Sequence, residues 1–135
     1  MARTLSFTGT VVVVTGAAPG FGRVTALGFG RAGAKVVISD IDDAGGEETL
    51  RLLQGEGGDG LYLHTDVRSE AQVQAMIEKT VEKYGQLNCA VNNAGTGLLG
   101  NIVDQTTEHF DLLFDANVKG VFCCLKHELR QITTA

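Results

Sequence analysis

The chain has little of several features that define broad classes of protein. It carries 11 Lys and Arg against 16 Asp and Glu, a formal net charge of −5, and its basic residues are scattered. It therefore lacks the basic excess that a nucleic-acid partner requires. No apolar run approaches the length needed to cross a membrane, and Met1–Ser6 lack the apolar segment of a signal peptide. We expect no nucleic-acid partner, no membrane partner and a cytoplasmic location.

Cysteine is also scarce. Cys89, Cys123 and Cys124 cannot all pair, and adjacent cysteines bridge only with strain, so no disulfide framework is predicted. Metal or redox chemistry at Cys123 and Cys124 with His127, one helical turn further on, is an alternative to simple core packing. Packing is the simpler interpretation, and we predict no metal site.

The length of 135 residues leaves room for one domain and none for a separate second one. What this domain does have is a glycine-rich turn, Thr15 to Gly22, directly after the apolar run Val11–Val14. Four consecutive valines predict a strand buried on both faces of a parallel sheet. Apolar residues at helical spacing then predict a helix that ends near Gly33, followed by a second strand over Lys35–Asp40. Together these segments predict a βαβ unit.

The glycines of this turn predict a site for a dinucleotide. Glycine lets the backbone reverse sharply and approach a ligand closely, so the free N–H groups of the following helix can meet a diphosphate. The spacing Gly16-x3-Gly20-x-Gly22 is a variant of the commonest fingerprint. A tight turn without a ligand is the alternative.

The rest of the chain repeats the alternation of strand and helix. The predicted segments are a helix over about 42–54, a loop over 55–60, a strand over 61–64, a helix opened by the capping box Ser69-x-x-Gln72 and ended by Gly85, a strand over 87–92, and a final helix over about 107–130. Four strands alternating with four helices predict an α/β fold with a parallel sheet and helices on both faces. The ligand cleft is expected at the carboxyl ends of the strands.

Asp40 ends the second strand and therefore points to the identity of the cofactor. A carboxylate there can accept hydrogen bonds from both ribose hydroxyls and would repel a 2′-phosphate, which favours NAD over NADP. Neither Pro19 nor Ile41 offers a cation for an extra phosphate. A solvated Asp that caps the next helix is the alternative, although Asp42 could equally serve as that cap.

The final predicted helix places a polar residue among apolar ones. Its apolar residues at helical spacing are expected to face the core; they are Phe110, Leu113, Phe114, Val121 and Leu125. Asn117 lies on the same stripe, so its amide should have specific partners or water. From spacing alone, an Asn bonded to nearby backbone is the better interpretation.

These motifs resemble those of the classical short-chain dehydrogenase/reductase family over the whole chain. The resemblance implies a Rossmann-type three-layer α/β/α fold with strand order 3-2-1-4, and a helix Asn that holds a water in a proton relay, here Asn117. It assigns the cofactor to Thr15, Gly16, Ala18, Gly20, Phe21, Gly22, Asp40, Ile41, Asp66, Val67, Asn93, Ala94 and Gly95. The family transfers a hydride between a nicotinamide cofactor and an alcohol or carbonyl substrate.

The family's catalytic Ser and Tyr-x-x-x-Lys have no counterpart in the sequence. Tyr62 is followed four residues later by Asp66, and Tyr84 by Asn88. We therefore expect a single dinucleotide-binding domain over residues 1–135, truncated after the fourth strand and its helix, that resembles the first half of such an enzyme. It is expected to be inactive alone.

Such a half would leave two surfaces open to association. The fourth strand would be a sheet edge, and the last helix would expose outward residues such as Phe122 and Leu129, so a homo- or hetero-oligomer is possible. Three alternatives remain open: a non-catalytic NAD-binding or regulatory protein that pairs with a full-length relative, a product that does not fold stably, and a response-regulator-like or flavodoxin-like domain. The last explains neither the glycine turn nor Asn92–Gly95, which resemble the family's signature after the fourth strand.

Overall fold

Four parallel strands form one sheet in the computed structural model, which describes residues 4–132. The strands are β1 (Val11–Thr15), β2 (Lys35–Asp40), β3 (Asp59–His64) and β4 (Cys89–Asn92). Their order is β3-β2-β1-β4, as predicted, with Val13 opposite Val37 on one side and Ala90 on the other. The predicted absence of a signal peptide concerns Met1–Ser6. Residues 1–3 of that stretch lie outside the described range.

Helices cover both faces of the sheet. They are α1 (Gly20–Arg31), α2 (Asp43–Gly55), α3 (Glu70–Tyr84), α4 (Thr107–Phe114) and α5 (Gly120–Ile132). A 3₁₀ turn over Ile102–Asp104 precedes α4, and a π-helical turn over Asp115–Lys119 joins α4 to α5. Among residues 4–132, no helix is long and apolar enough to cross a membrane.

The valine run of β1 is buried because the core has two parts. Val12 and Val14 pack against α1 and α2, whereas Val13 packs against α3 and α5. Since side chains alternate along a strand, a central strand that is covered on both faces is apolar throughout. The strand buried on both faces that this run predicts is confirmed, and so is the three-layer α/β/α fold that the family resemblance implies.

Several predicted boundaries were wrong by a few residues. β3 begins at Asp59 rather than Leu61, because Gly60 pairs with Val36 in the sheet. A Cβ at Gly60 would overlap the Val36 carbonyl, so this glycine belongs to a strand and not to a flexible loop. The predicted end of α1 near Gly33 is confirmed, since α1 ends at Arg31 and Gly33 follows with φ of +94°. β4 begins at Cys89 rather than Leu87.

The prediction of which side chains of the final helix face the core was wrong. Phe110, Phe114 and Leu125, predicted to face the core, are 57%, 49% and 43% exposed. For Leu125, which follows the π-helical turn, the reason is that the turn inserts about one extra residue and so rotates α5 by about 100° relative to a continuous α-helical stripe. Phe110 and Phe114 precede the turn, and their exposure has no such explanation. The buried residues beyond α4 are Ala116, Gly120, Cys123, Cys124, His127 and Glu128.

Two expected surfaces are present. Phe122 and Leu129 are exposed, and β4 is an edge of the sheet within the described residues. Association through these surfaces stays a prediction.

The three cysteines are free, Cys123 and Cys124 are buried, and residues 4–132 hold no group of three His, Cys, Asp or Glu that could bind a metal ion.

Candidate functional site

A cavity of about 540 Å³ lies at the carboxyl ends of the strands, where the sequence predicts the cleft. Its size falls within the usual range for small-molecule and cofactor sites. The lining residues are Gly16, Pro19, Gly20, Phe21, Asp40, Ile41, Asp42, Thr65, Asp66, Val67, Arg68, Asn93, Ala94, Gly95, Thr96, Leu112 and Ala116. Contributions come from the ends of all four strands, the first turn of α1, α4 and the π-helical turn.

The glycine turn needs its glycines for different reasons. Gly16 and Gly20 have φ of +67° and +56°, in the left-handed region that glycine adopts at little cost. Gly22 is buried, and a Cβ there would overlap the carbonyl oxygen of Gly16. The turn is therefore closed tightly onto the start of α1.

The first turn of α1 is left open to a ligand. Its N-cap is Pro19, no side chain caps the helix, and the first turn carries no acidic residue. The free N–H groups and the positive end of the helix dipole favour an anion at this position. Phe21, 87% exposed, projects from the same turn.

Thr15 and Asn93 join the turn to the end of β4. The Thr15 hydroxyl oxygen accepts hydrogen bonds from the backbone N–H of Asn93 at 3.1 Å and of Ala94 at 3.0 Å. In return, Asn93 Nδ2 donates to the carbonyl oxygens of Thr15 and Gly16. Both side chains thus hold two loops together across β1 and β4.

Asp40 is the last residue of β2, and its side chain contacts the glycine turn. Its Oδ2 accepts from the Ala18 N–H and its Oδ1 from the Asp42 N–H, both at 3.0 Å. The cap of α2 is Asp42, whose carboxylate accepts from the Gly45 N–H, so Asp40 does not cap that helix. Each carboxylate oxygen can accept a further bond, and Asp40 lines the cavity beside the exposed Ile41.

Asp66 carries a partner that the sequence analysis missed. Arg68 donates to both of its carboxylate oxygens, with Nη2 to Oδ2 at 2.7 Å, and the pair lowers the pKa of Asp66. The neighbouring Val67 is buried among the side chains of α3 and α5. Arg68 therefore supplies a cation to the cavity wall. The sequence analysis considered only Pro19 and Ile41 as positions for such a cation.

The predicted capping box is only half formed. Ser69 caps α3 by accepting from the Gln72 N–H at 3.4 Å. The Gln72 side chain accepts from the backbone N–H of Asp66 at 2.8 Å instead of from Ser69. It therefore connects α3 to the cavity.

Asn117 lies in the π-helical turn and is exposed, so the prediction that it faces the core was wrong. Its Oδ1 accepts from the Thr96 N–H at 2.8 Å, and its Nδ2 donates to the Thr96 carbonyl at 2.7 Å. The absence of a side chain on Gly95 allows this approach, because a Cβ would lie 2.6 Å from Asn117 Oδ1. A role in a proton relay stays a prediction.

Most of the cavity residues that were not predicted adjoin predicted ones in the sequence. They are Pro19, Asp42, Thr65, Arg68, Leu112 and Ala116. The ion pair had one signal in the sequence, namely that the acidic Asp66 and the basic Arg68 are two residues apart. Leu112 and Ala116 depend on how the last helices fold back, and no local pattern indicated this.

Comparisons with known proteins agree with this geometry. A family model described as short chain dehydrogenase matches residues 10–135. An uncharacterized oxidoreductase of Thermotoga maritima is 40% identical over 128 residues, covering 95% of this chain and 50% of that protein. A short-chain dehydrogenase/reductase of Armillaria gallica is 38% identical over 136 residues, covering 99% and 52%.

A solved structure has the same arrangement of elements. The crystal structure of hydroxysteroid dehydrogenase from Escherichia coli superimposes with a TM-score of 0.89 at 29% identity, covering 94% of this chain and 54% of that one. The chain thus spans about half the length of the relatives it matches.

Proposed function

Because the chain belongs to the short-chain dehydrogenase family, we propose that its cavity binds NAD as the cofactor of an oxidoreductase. When bound, the nicotinamide would supply a hydride acceptor or donor for an alcohol or carbonyl substrate of the whole protein. The observation that carries the preference for NAD is the carboxylate of Asp40 in the cavity, held by the Ala18 N–H of the glycine turn at 3.0 Å.

The two ends of the cavity suit different parts of a dinucleotide. The open first turn of α1 offers N–H donors to the diphosphate, and Gly20 has no neighbouring atom within 4 Å that a Cβ would meet. Asp40 would accept the ribose hydroxyls, and Asp66 with Val67 would contact the adenine. Asn93, Ala94 and Gly95 would line the nicotinamide end.

The charges of the cavity oppose a 2′-phosphate. Asp40 and Asp42 both line it, and its one cation within residues 4–132, Arg68, is paired with Asp66. A phosphate beside these carboxylates would be repelled, and drawing Arg68 away would leave Asp66 without its partner.

Titration of the 135-residue chain with NADH and with NADPH, followed by cofactor fluorescence, tests this proposal. NADPH should bind at least about tenfold more weakly than NADH. Asp40→Asn should lower the ratio of the NADPH to the NADH dissociation constant by about tenfold, because it removes the repelling charge. The same substitution should also weaken NADH binding. Asp59→Asn, at the opposite end of the sheet, is the matched control and should change neither dissociation constant.

Equal affinity for the two cofactors, or no binding of either, would contradict the proposal. We further propose that the chain by itself binds NAD without turnover, because neither Tyr62 nor Tyr84 is followed by a lysine four residues later. Supplying NAD and a panel of primary and secondary alcohols to the same solutions should therefore form no NADH.

A further inference from the structure

A buried carboxyl group that the proposed function does not use lies against the end of β4. Glu128 on α5 is 1% exposed, and its Oε2 accepts from Asn92 Nδ2 at 2.8 Å. Its other oxygen, Oε1, and the amide oxygen of Asn92, Oδ1, are both buried without a hydrogen-bond partner. A buried polar atom left unpaired costs about 1–3 kcal/mol, so two in one contact call for an explanation.

Among the described residues, the Asn92 bond is the one contact that would stabilise a negative charge on Glu128. Within residues 4–132, no Lys, Arg or His forms an ion pair with it, since Lys126 and His127 on the same helix both contact Glu70 on α3. Its titratable neighbours are Cys89 on β4 and Cys124 on α5. Burial raises the pKa of both thiols, that of Cys124 to about 12, so both are neutral.

Burial also raises the pKa of Glu128 above its ordinary value of 4.5, and the Asn92 bond opposes this increase only in part. An ionised carboxylate has acceptors alone, whereas a protonated one gains an O–H donor. The amide oxygen of Asn92 is the other buried atom of this pair that lacks a partner, so it is the acceptor available to a proton on Oε1. The O–H and the existing N–H bond would then close an acid–amide ring that satisfies both atoms.

We propose that Glu128 is a protonated acid in the folded protein, and that it acts as a positioning residue by donating its O–H to Asn92 Oδ1. Asn92 directly precedes Asn93 and Ala94, whose N–H groups bind the Thr15 hydroxyl. The ring therefore fixes the end of β4 from α5 and, through it, the wall of the cavity. This inference rests on the packing of α5 against β4 and is independent of which cofactor binds.

Infrared difference spectroscopy tests the protonation directly. The spectrum of the natural chain minus that of Glu128→Gln at neutral pH should contain the carbonyl band of a protonated acid. The substituted amide is isosteric with the acid and keeps both hydrogen bonds to Asn92, so this variant should fold. Glu82→Gln on the exposed side of α3 is the matched control and should instead remove a carboxylate band. A carboxylate band for Glu128 would overturn the proposal.

The pH dependence of unfolding gives a second readout. Above pH 4.5 the unfolded chain is ionised at Glu128 while the folded chain keeps its proton, so stability falls as pH rises toward the folded-state pKa. The unfolding equilibrium constant of the natural chain, relative to that of Glu128→Gln, should rise by up to about tenfold per pH unit in this window. A constant ratio, or failure of Glu128→Gln to fold at any pH, would overturn the proposal.

Hydrogen exchange measures the positioning role without any cofactor. In Glu128→Ala, which removes the ring, the amides of Asn93 and Ala94 should exchange about tenfold faster. In Glu128→Gln they should exchange at the natural rate. Equal exchange in the Ala and Gln variants, or no change in either, would exclude a positioning role.

Discussion

At the scale of single residues, the glycines of α1 show how the surroundings of a position decide what it tolerates. A Cβ at Gly22 would overlap the Gly16 carbonyl and lie 2.7 Å from Asn93 Nδ2. Gly28 has open space within 4 Å in the same helix. We expect Gly22→Ala to destabilise the chain by about 1–3 kcal/mol through overpacking, and Gly28→Ala to stabilise it by about 0.5–1 kcal/mol through helix propensity.

Urea unfolding of the two variants checks this pair, since each replaces glycine by alanine within one helix. NADH titration separates their effects on the site: Gly22→Ala should weaken binding, whereas Gly28→Ala should leave it unchanged. Equal changes in stability would mean that the close packing of the glycine turn does not govern this position.

At the scale of elements, the start of α3 links a helix cap to the cavity. Ser69 satisfies a helix N–H, while the Gln72 side chain accepts from the Asp66 N–H at 2.8 Å. Ser69→Ala should therefore cost about 0.5–1 kcal/mol of stability with little effect on cofactor affinity. Gln72→Ala should cost a similar amount and should also weaken NADH binding severalfold, because the Asp66 segment loses its tie to α3.

The measurements are urea unfolding and NADH titration of both variants side by side. If Ser69→Ala weakened NADH binding as much as Gln72→Ala, the effect on the cavity would come from general loosening of α3. The hydrogen bond to Asp66 would then have no specific part in positioning the adenine contact.

At the scale of the whole molecule, two opposing groups of carboxyls set the dependence of stability on pH. Hydrogen bonds and ion pairs lower the pKa of one group, which consists of Asp43, Glu48, Glu56, Asp66, Glu70 and Glu108. Their contribution is present above the ordinary values of 3.8 and 4.5 and is lost as pH falls through the lower folded-state values. Burial raises the pKa of Glu128, so its contribution to stability changes with pH in the opposite direction.

Stability should therefore decline below about pH 4, and it should also decline as pH rises toward the folded-state pKa of Glu128. High salt should flatten the acid decline, because most carboxylates of the ion pairs are exposed and therefore screened, and it should leave the Glu128 effect largely intact. Urea midpoints across pH at about 0.05 M and 1 M NaCl provide the check. An acid decline that does not respond to salt would contradict the assignment to surface pairs.

The sequence by itself determined the order of strands and helices, the glycine turn and most of the cavity wall. These features depend on local signals, namely apolar periodicity, glycine spacing and the residue at each strand end. The parallel sheet then brings the strand ends together without further information, because right-handed crossovers place all carboxyl ends at one edge. Asp40 was found in this way, and the family resemblance added Asp66 and Asn93.

Only the tertiary structure decided which partners those residues have. The ion pair of Arg68 with Asp66, the reach of Gln72 to Asp66, and the contact of Glu128 with Asn92 depend on how separate elements pack. The π-helical turn also changed which face of the last helix is buried, since one inserted residue alters the phase of everything after it. The spacing of apolar residues predicts that a helix forms, whereas the surface against which the helix packs decides which of its faces is buried.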